Sequence, residues 1–261
     1  MRKLNRTIIS VLILLISTSG TMCFAQSKND TLNVLFVGNS YIYFNNLPHI
    51  VSLISDSTGT KLITKKSTGP GATLSEHWFG KKGLKTKEII KKGQFDIVIL
   101  QEQSMAPISH PDSFYTYGSL LCKFIKENGA TPYLFLTWAR EKVPQYQDDL
   151  NNAYLELSKK NSALVVPVGP AWSMAQKMRP NVELFDSDGS HPSNLGTFLT
   201  ACMFTKILTG EIPKSLPRSY TTKDIMGETV GLMYINDLDI IFCNKIVNQL
   251  ALNKYGIVPE E

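Results

Sequence analysis

Residues 33–40 read Asn-Val-Leu-Phe-Val-Gly-Asn-Ser. The apolar run resembles the strands of a parallel sheet that is covered on both faces. Gly38 then ends the run and places Ser40 just beyond the carboxyl end of the predicted strand, where open α/β sheets bind ligands. This stretch predicts a buried first strand with a serine at its tip.

Apolar runs of strand length alternate with helical patterns along the rest of the chain. The predicted strands are 32–37, 61–65, 97–101, 132–137 and 163–166, and the predicted helices are 47–57, 84–92, 112–128, 146–160, 170–178 and 192–209. Such alternation is typical of α/β proteins. We therefore predict one doubly wound, flavodoxin-like parallel sheet of about five strands with helices on both faces.

The segment after Gly210 begins with a proline-rich connector at Pro213 and Pro217. Beyond it we predict one long helix, roughly 222–254, that packs on the sheet. This C-terminal helical extension, from about residue 213, is expected to belong to the same domain.

The first 25 residues have the pattern of a signal peptide. Basic residues at the start precede an apolar stretch, 8–16, that is too short to span a bilayer, and Ala25 stands at a suitable cleavage edge. We predict cleavage after residue 25, export to the periplasm or the extracellular space, and no stable membrane span afterwards. An uncleaved membrane anchor is the alternative. Residues 26–261 are expected to form a single α/β domain.

Charge and cysteine content argue against two other classes of protein. The formal net charge is +5, but the leader carries three basic and no acidic residues, so 24 basic residues face 22 acidic ones without it. This balance does not imply a nucleic-acid partner. Outside the leader, Cys122, Cys202 and Cys243 lack paired spacing and lie in apolar contexts, which favours buried packing over a disulfide or a metal site.

A late loop reads Asp188-Gly189-Ser190-His191. A serine hydroxyl needs an adjacent base to become a nucleophile, and that base needs a partner that fixes its tautomer. Ser40, His191 and Asp188 are the residues that we expect in these roles, with Asp186 as the alternative carboxylate. In the competing interpretations, Ser40 only caps the helical turn that follows it, and His191 makes a structural hydrogen bond.

Further polar residues follow the other predicted strands. Gly71 follows the second strand, Gln101 to Ser104 follow the third, and Trp138 and Arg140 follow the fourth. Because the carboxyl ends of parallel strands meet at one edge, these segments are expected to converge on one site.

These motifs, in this order, resemble the SGNH (GDSL-type) hydrolases over residues 31–212, and more narrowly a DUF4886-like bacterial branch with Gly-Asn-Ser in place of Gly-Asp-Ser. The resemblance implies that Ser40 is the nucleophile, that the Gly71 N–H joins the oxyanion hole, and that Asp188 and His191 complete the triad. It also implies that no metal or organic cofactor is required.

The third block of the family pattern is different in this chain. The family has Gly-x-Asn-Asp there, with the asparagine amide in the oxyanion hole, whereas this chain has Gln101-Glu102-Gln103. A glutamine amide offers the same kind of donor on a longer side chain. We expect Gln103, rather than Gln101, to complete a hole formed with Ser40 and Gly71.

The resemblance implies a serine esterase whose substrate is a small-molecule or glycan ester, with O-acetyl groups on carbohydrates favoured. Gln101, Trp138 and Arg140 are the expected substrate-binding residues: Trp138 would stack on a sugar and Arg140 would meet an acidic one. A wall-packing tryptophan and a salt-bridged arginine are the alternatives. A lipid-type esterase, and a non-catalytic glycan-binding protein on a degenerate scaffold, are the competing functions.

Overall fold

The central sheet has five strands that all run parallel. The computed structural model describes residues 30–256, so the predicted signal peptide lies outside the described residues and stays a prediction. The strands are β1 (Asp30–Gly38), β2 (Thr60–Thr68), β3 (Ile97–Leu100), β4 (Thr131–Leu136) and β5 (Leu164–Pro167), in the spatial order β2-β1-β3-β4-β5. The predicted doubly wound sheet is confirmed.

Ten α-helices are found among the described residues. They are α1 (Ser40–Tyr43), α2 (Leu47–Ser55), α3 (Leu74–Phe79), α4 (Thr86–Lys92), α5 (Ala106–Ser109), α6 (Pro111–Glu127), α7 (Gln147–Asn161), α8 (Val168–Met178), α9 (Asn194–Thr209) and α10 (Asp237–Gln249). Short 3₁₀ turns lie at Phe44–Asn46, Lys81–Gly83, Pro144–Tyr146 and Leu252–Tyr255. Within residues 30–256, no helix combines the length and the apolar character needed to cross a membrane.

Helices cover both faces of the sheet, and β1 shows why. Val34 and Phe36 point into the core formed with α2, α8, α9 and α10, whereas Leu35 and Val37 point into the core formed with α3, α4, α6 and α7. All four side chains are fully buried. A strand buried on both faces must be apolar at consecutive positions, which explains the run that begins at Val34.

The C-terminal segment differs from its prediction as one long helix. Two antiparallel strands, β6 (Ser219–Lys223) and β7 (Thr229–Tyr234), form a hairpin before α10, which has only 13 residues. β-Branched residues are frequent in both strands and favour extended structure, and Gly227 adopts the positive φ of the turn, 82°. Helix α10 packs on α8 and α9 instead of directly on the sheet.

The segment before α9 is a loop closed on itself. The Asp186 N–H donates to the His191 carbonyl (2.8 Å), and the Ser193 N–H donates to the Leu184 carbonyl (2.9 Å). The Ser193 hydroxyl accepts from the Gly196 N–H at 3.0 Å and caps α9. Helix α9 therefore begins after this serine, and not at Pro192 as the sequence pattern predicts. The closed loop holds His191 at the carboxyl edge of the sheet.

Candidate active site

The Ser40 hydroxyl, in the turn after β1, does not cap the helix that follows. Helix α1 is capped by Asn39, whose side-chain oxygen accepts from the Tyr41 N–H at 3.1 Å. The Asn39 amide nitrogen also donates to the Ala72 carbonyl at 3.0 Å. The interpretation of Ser40 as a helix cap is wrong, because its neighbour performs that role.

Ser40, His191 and Asp188 lie in one hydrogen-bonded chain. The Ser40 Oγ atom lies 2.8 Å from His191 Nε2, and His191 Nδ1 lies 2.5 Å from Asp188 Oδ2. The other oxygen of Asp188 accepts from the backbone N–H groups of Ser190 and His191, each at 2.9 Å. Asp186 is not the partner of the imidazole, since its carboxylate accepts from the Ser187 N–H.

The carboxylate of Asp188 fixes the tautomer of His191. Burial acts to raise the pKa of Asp188, but the hydrogen bonds from His191 and Ser190 outweigh it and lower that pKa to about 2. An ionised carboxylate only accepts hydrogen bonds, so the proton of a neutral imidazole lies on Nδ1. Nε2 is then the acceptor that faces the Ser40 hydroxyl, which is the arrangement a general base requires.

Aromatic rings hold the imidazole from two directions. Phe44 stacks on His191 with ring centroids 4.1 Å apart and an angle of 14° between the planes, and Tyr41 meets it edge-on at 5.7 Å. The Tyr41 hydroxyl also lies 2.8 Å from Ser190 Oγ. Tyr41, which follows Ser40 in the chain, thus contacts both His191 and the loop that carries it, a role that the sequence did not reveal.

Trp138 packs against Tyr41 on the side away from the cavity and does not line the cavity. It is only 1% exposed and stacks between Tyr41 (4.6 Å) and Trp172 (3.9 Å). Its indole N–H donates to the Ser190 carbonyl at 3.0 Å. The expectation that Trp138 stacks on a sugar is therefore wrong, because both faces of the ring are already covered.

Gln101 is likewise structural. It is fully buried, its side-chain oxygen accepts from the Asn39 N–H at 2.9 Å, and its amide nitrogen donates to the Glu102 carbonyl. A β-carbon at Gly38 would collide with this side chain, so the glycine is needed for the close approach. Gln101 fixes the turn that carries Ser40, and its assignment as a substrate-binding residue is corrected.

Gln103, by contrast, lines the cavity beside Ser40. Its side-chain oxygen accepts from the Met105 N–H at 3.2 Å, and its amide nitrogen donates to Ser104 Oγ at 3.2 Å. A backbone N–H can only donate, so these two contacts fix the orientation of the amide. One amide hydrogen of Gln103 has no acceptor among the described residues and is available to a ligand.

The other expected oxyanion donors are backbone groups. Gly71 has φ 57°, a left-handed conformation that favours glycine. Neither its N–H nor that of Ser40 donates to an acceptor within residues 30–256. The cavity has a volume of about 330 Å³ and is lined by Asn39, Ser40, Tyr41, Tyr43, Phe44, Pro70, Gly71, Gln103, Ser104, Arg140, Ser190 and His191. The expected nucleophile, base, oxyanion donors and Arg140 thus face one space.

Glu102 joins the two loops that carry Gly71 and Gln103. Its buried carboxylate accepts from the Leu74 N–H (3.3 Å) and the Gln103 N–H (2.6 Å). Burial raises the pKa of Glu102 to about 7, against the lowering effect of these hydrogen bonds. The carboxylate does not line the cavity, so it lies beneath the loops and does not face a developing oxyanion.

His77 supports the same turn from the other side. The imidazole is fully buried, with Nε2 2.9 Å from the Gly38 carbonyl and Nδ1 2.6 Å from Thr86 Oγ1. Burial lowers the pKa of His77, although the bond to Gly38 acts to raise it. A carbonyl only accepts, so Nε2 carries the proton of the neutral ring and Thr86 donates to Nδ1.

The three cysteines outside the leader have the packing role that their apolar contexts indicate. Cys122, Cys202 and Cys243 are all buried and free of disulfide bonds. Burial raises the pKa of each thiol, so all three stay neutral and unreactive. Among the described residues, no group of three or more His, Cys, Asp or Glu side chains is placed to hold a metal ion.

Comparison with solved structures identifies the fold as that of the SGNH (GDSL-type) hydrolases. A DUF4886 family protein from Bacteroides uniformis is 16% identical, with a TM-score of 0.67 over 88% of this chain and 98% of its own. A candidate SGNH hydrolase from Slackia heliotrinireducens is 23% identical, with a TM-score of 0.56 over 69% of this chain and 100% of its own. An acetyl xylan esterase, AlAXEase, is 14% identical, with a TM-score of 0.51 over 66% and 98%. No protein-family model and no curated protein sequence matches the chain.

The buried carboxylate gives stability a specific pH dependence. The pKa of Glu102 is raised in the folded state, so this group stabilises the fold below its ordinary pKa of 4.5 and loses that contribution as the pH rises through about 7. The loss approaches about 1.4 kcal/mol per pH unit within that window. In Glu102→Gln the side chain keeps an oxygen that can accept from the N–H groups of Leu74 and Gln103, but it does not titrate. In urea unfolding, the free energy of unfolding of the variant minus that of the wild type should therefore increase by about 1–3 kcal/mol between pH 5 and pH 8.

Glu127→Gln is the matched control for that experiment. This glutamate is exposed at the end of α6, where its carboxylate lies 3.9 Å from Lys123 Nζ, and it forms no hydrogen bond with Glu102, so its curve should run parallel to the wild type. If the curve of Glu102→Gln also ran parallel to that of the wild type, the raised pKa of Glu102 would be contradicted.

Proposed function

We propose that this chain is a serine esterase that hydrolyses acyl esters, with O-acetyl groups on carbohydrates as the favoured substrate, through Ser40, His191 and Asp188. The observation that carries the proposal is the hydrogen-bonded chain of 2.8 and 2.5 Å that joins these residues at the carboxyl edge of the sheet. Further support comes from the fold, which is shared with an enzyme described as an acetyl xylan esterase.

The reaction follows from the positions of the atoms. His191 Nε2 takes the proton of Ser40 as Oγ attacks the ester carbonyl, and Asp188 stabilises the imidazolium that forms. The N–H groups of Ser40 and Gly71, with the amide of Gln103, stabilise the tetrahedral oxyanion. His191 then gives the proton to the leaving alcohol. A water molecule, activated by the same imidazole, releases the acyl group and restores the serine.

The cavity favours a short acyl group. Its volume of about 330 Å³ lies at the small end of the range for ligand sites, and many of its lining residues are polar. A long alkyl chain would have to extend beyond a space of this size. The acetyl ester of a polar alcohol therefore suits it better than a lipid ester.

Loss of the nucleophile or the base should abolish most of the activity. Ser40→Ala and His191→Ala are each expected to lower kcat for 4-nitrophenyl acetate by about 10⁴–10⁶, and Asp188→Asn by less, because the oxyanion donors remain. Hydrolysis is followed by absorbance, with circular dichroism as the check on folding.

Ser187→Ala is the control, since this serine is exposed on the same loop and lies outside the cavity. Full activity in folded Ser40→Ala would show that another group is the nucleophile. Faster hydrolysis of long-chain nitrophenyl esters than of the acetate would favour the lipid-type esterase. A wild-type protein with no turnover of either ester would favour the non-catalytic binding protein.

The two glutamines should respond differently to alanine. Gln103→Ala removes an oxyanion donor and is expected to lower kcat by about 10²–10³ with little change in stability. Gln101→Ala leaves the buried Asn39 N–H without its acceptor and should lower the free energy of unfolding by about 1–3 kcal/mol. Kinetics and urea unfolding of both variants separate these effects. A normal kcat in Gln103→Ala would show that backbone groups alone form the oxyanion hole.

A further inference from the structure

Arg140 lies in the cavity beside Ser40 with most of its donors unused. Its side chain is exposed, and its Nε–H donates to Ser104 Oγ at 3.1 Å. Ser104 is only 3% exposed and also accepts from the Gln103 amide. No carboxylate within residues 30–256 forms an ion pair with Arg140. The interpretation of Arg140 as a salt-bridged surface residue is therefore not supported.

The described walls of the cavity carry a positive charge and no negative one. No aspartate or glutamate is among its lining residues, so Arg140 supplies the only permanent charge on its described walls. Glu141, the next residue, points elsewhere, because its carboxylate lies against Gly189. Asp188 lies behind His191 and is engaged by it. The cavity thus presents a cation with no neutralising partner on its walls.

The guanidinium is held in a fixed orientation. Its Nε–H is bound to a buried hydroxyl, so the two terminal NH₂ groups form the free end of the planar fork. That end matches the two oxygens of a carboxylate. Tyr43 and Phe44, both half-buried, supply an apolar wall to the same cavity, with ring centroids 5.9 Å apart. A cation and an aromatic wall together suit a ring that carries an acidic group.

We propose that Arg140 binds a carboxylate on the substrate, and that the preferred substrates are esters of carboxylated sugars such as uronates. The ester part of this statement rests on the proposed function. The carboxylate part rests on the unpaired guanidinium, on its anchoring by Ser104 and on the absence of acidic residues from the described cavity walls.

The test measures binding without turnover. Two probes are titrated calorimetrically into the Ser40→Ala protein: the O-acetylated methyl glycoside of glucuronic acid, with its carboxylate free, and the equivalent acetylated methyl glucoside. The carboxylated probe should bind about tenfold more tightly, as a partly exposed, charge-assisted pair allows. Arg140→Gln in the same background should reduce this ratio to about one, and Arg140→Lys should keep part of it, since the charge remains without the fork.

Lys142→Gln is the matched control, because it removes the same charge from an exposed residue two positions away that does not line the cavity. The ratio of affinities should be unchanged in it. Equal affinity for the two probes, no detectable binding of either at millimolar concentration, or a ratio that survives Arg140→Gln would overturn the proposal. Hydrolysis of nitrophenyl acetate by the wild type tests the esterase separately, so failure of one statement does not hide the other.

Discussion

The hydrogen bond from the Asn39 N–H to the side-chain oxygen of Gln101, 2.9 Å long and fully buried, connects the end of β1 to the end of β3. These neighbouring strands carry Ser40 and Gln103, so the bond helps to set the distance between the proposed nucleophile and a proposed oxyanion donor. It requires Gly38, because a side chain there would occupy the space of Gln101. One buried contact thus couples the strand ends on which the proposed chemistry depends.

A layer of buried polar groups extends this coupling beneath the cavity. Glu102 binds the loop after β2 to the loop after β3, and His77 binds α3 to the Gly38 carbonyl. Buried polar groups are costly unless they are paired, and these two are paired on several sides. Such a layer fixes the positions of the proposed backbone donors in advance, as electrostatic stabilisation of a transition state requires. The aromatic stack of Tyr41, Trp138 and Trp172 plays the same part for the histidine loop.

Much of the fold could be predicted from the sequence, because strands buried on both faces leave continuous apolar runs such as Val34 to Val37. The positions of Ser40, Asp188 and His191 can also be predicted from the sequence, because each residue lies in a recognisable motif. The sequence does not predict the hairpin at 219–234, since its strands are short and partly exposed and do not carry a strong apolar pattern. It does not predict the structural roles of Gln101 and Trp138 either. Sequence places both at the right sheet edge, but only packing shows which way a side chain turns.

The central claim is that Ser40 is a nucleophile activated by His191. Reaction with an alkyl fluorophosphonate, followed by intact mass and peptide mapping, tests it without any assumption about the natural ester, because an activated serine hydroxyl reacts with such a reagent far faster than an ordinary one. The account predicts one adduct per chain on the peptide that contains Ser40, and its loss when the imidazole of His191 is removed. No adduct, or an adduct on a different serine, would contradict it.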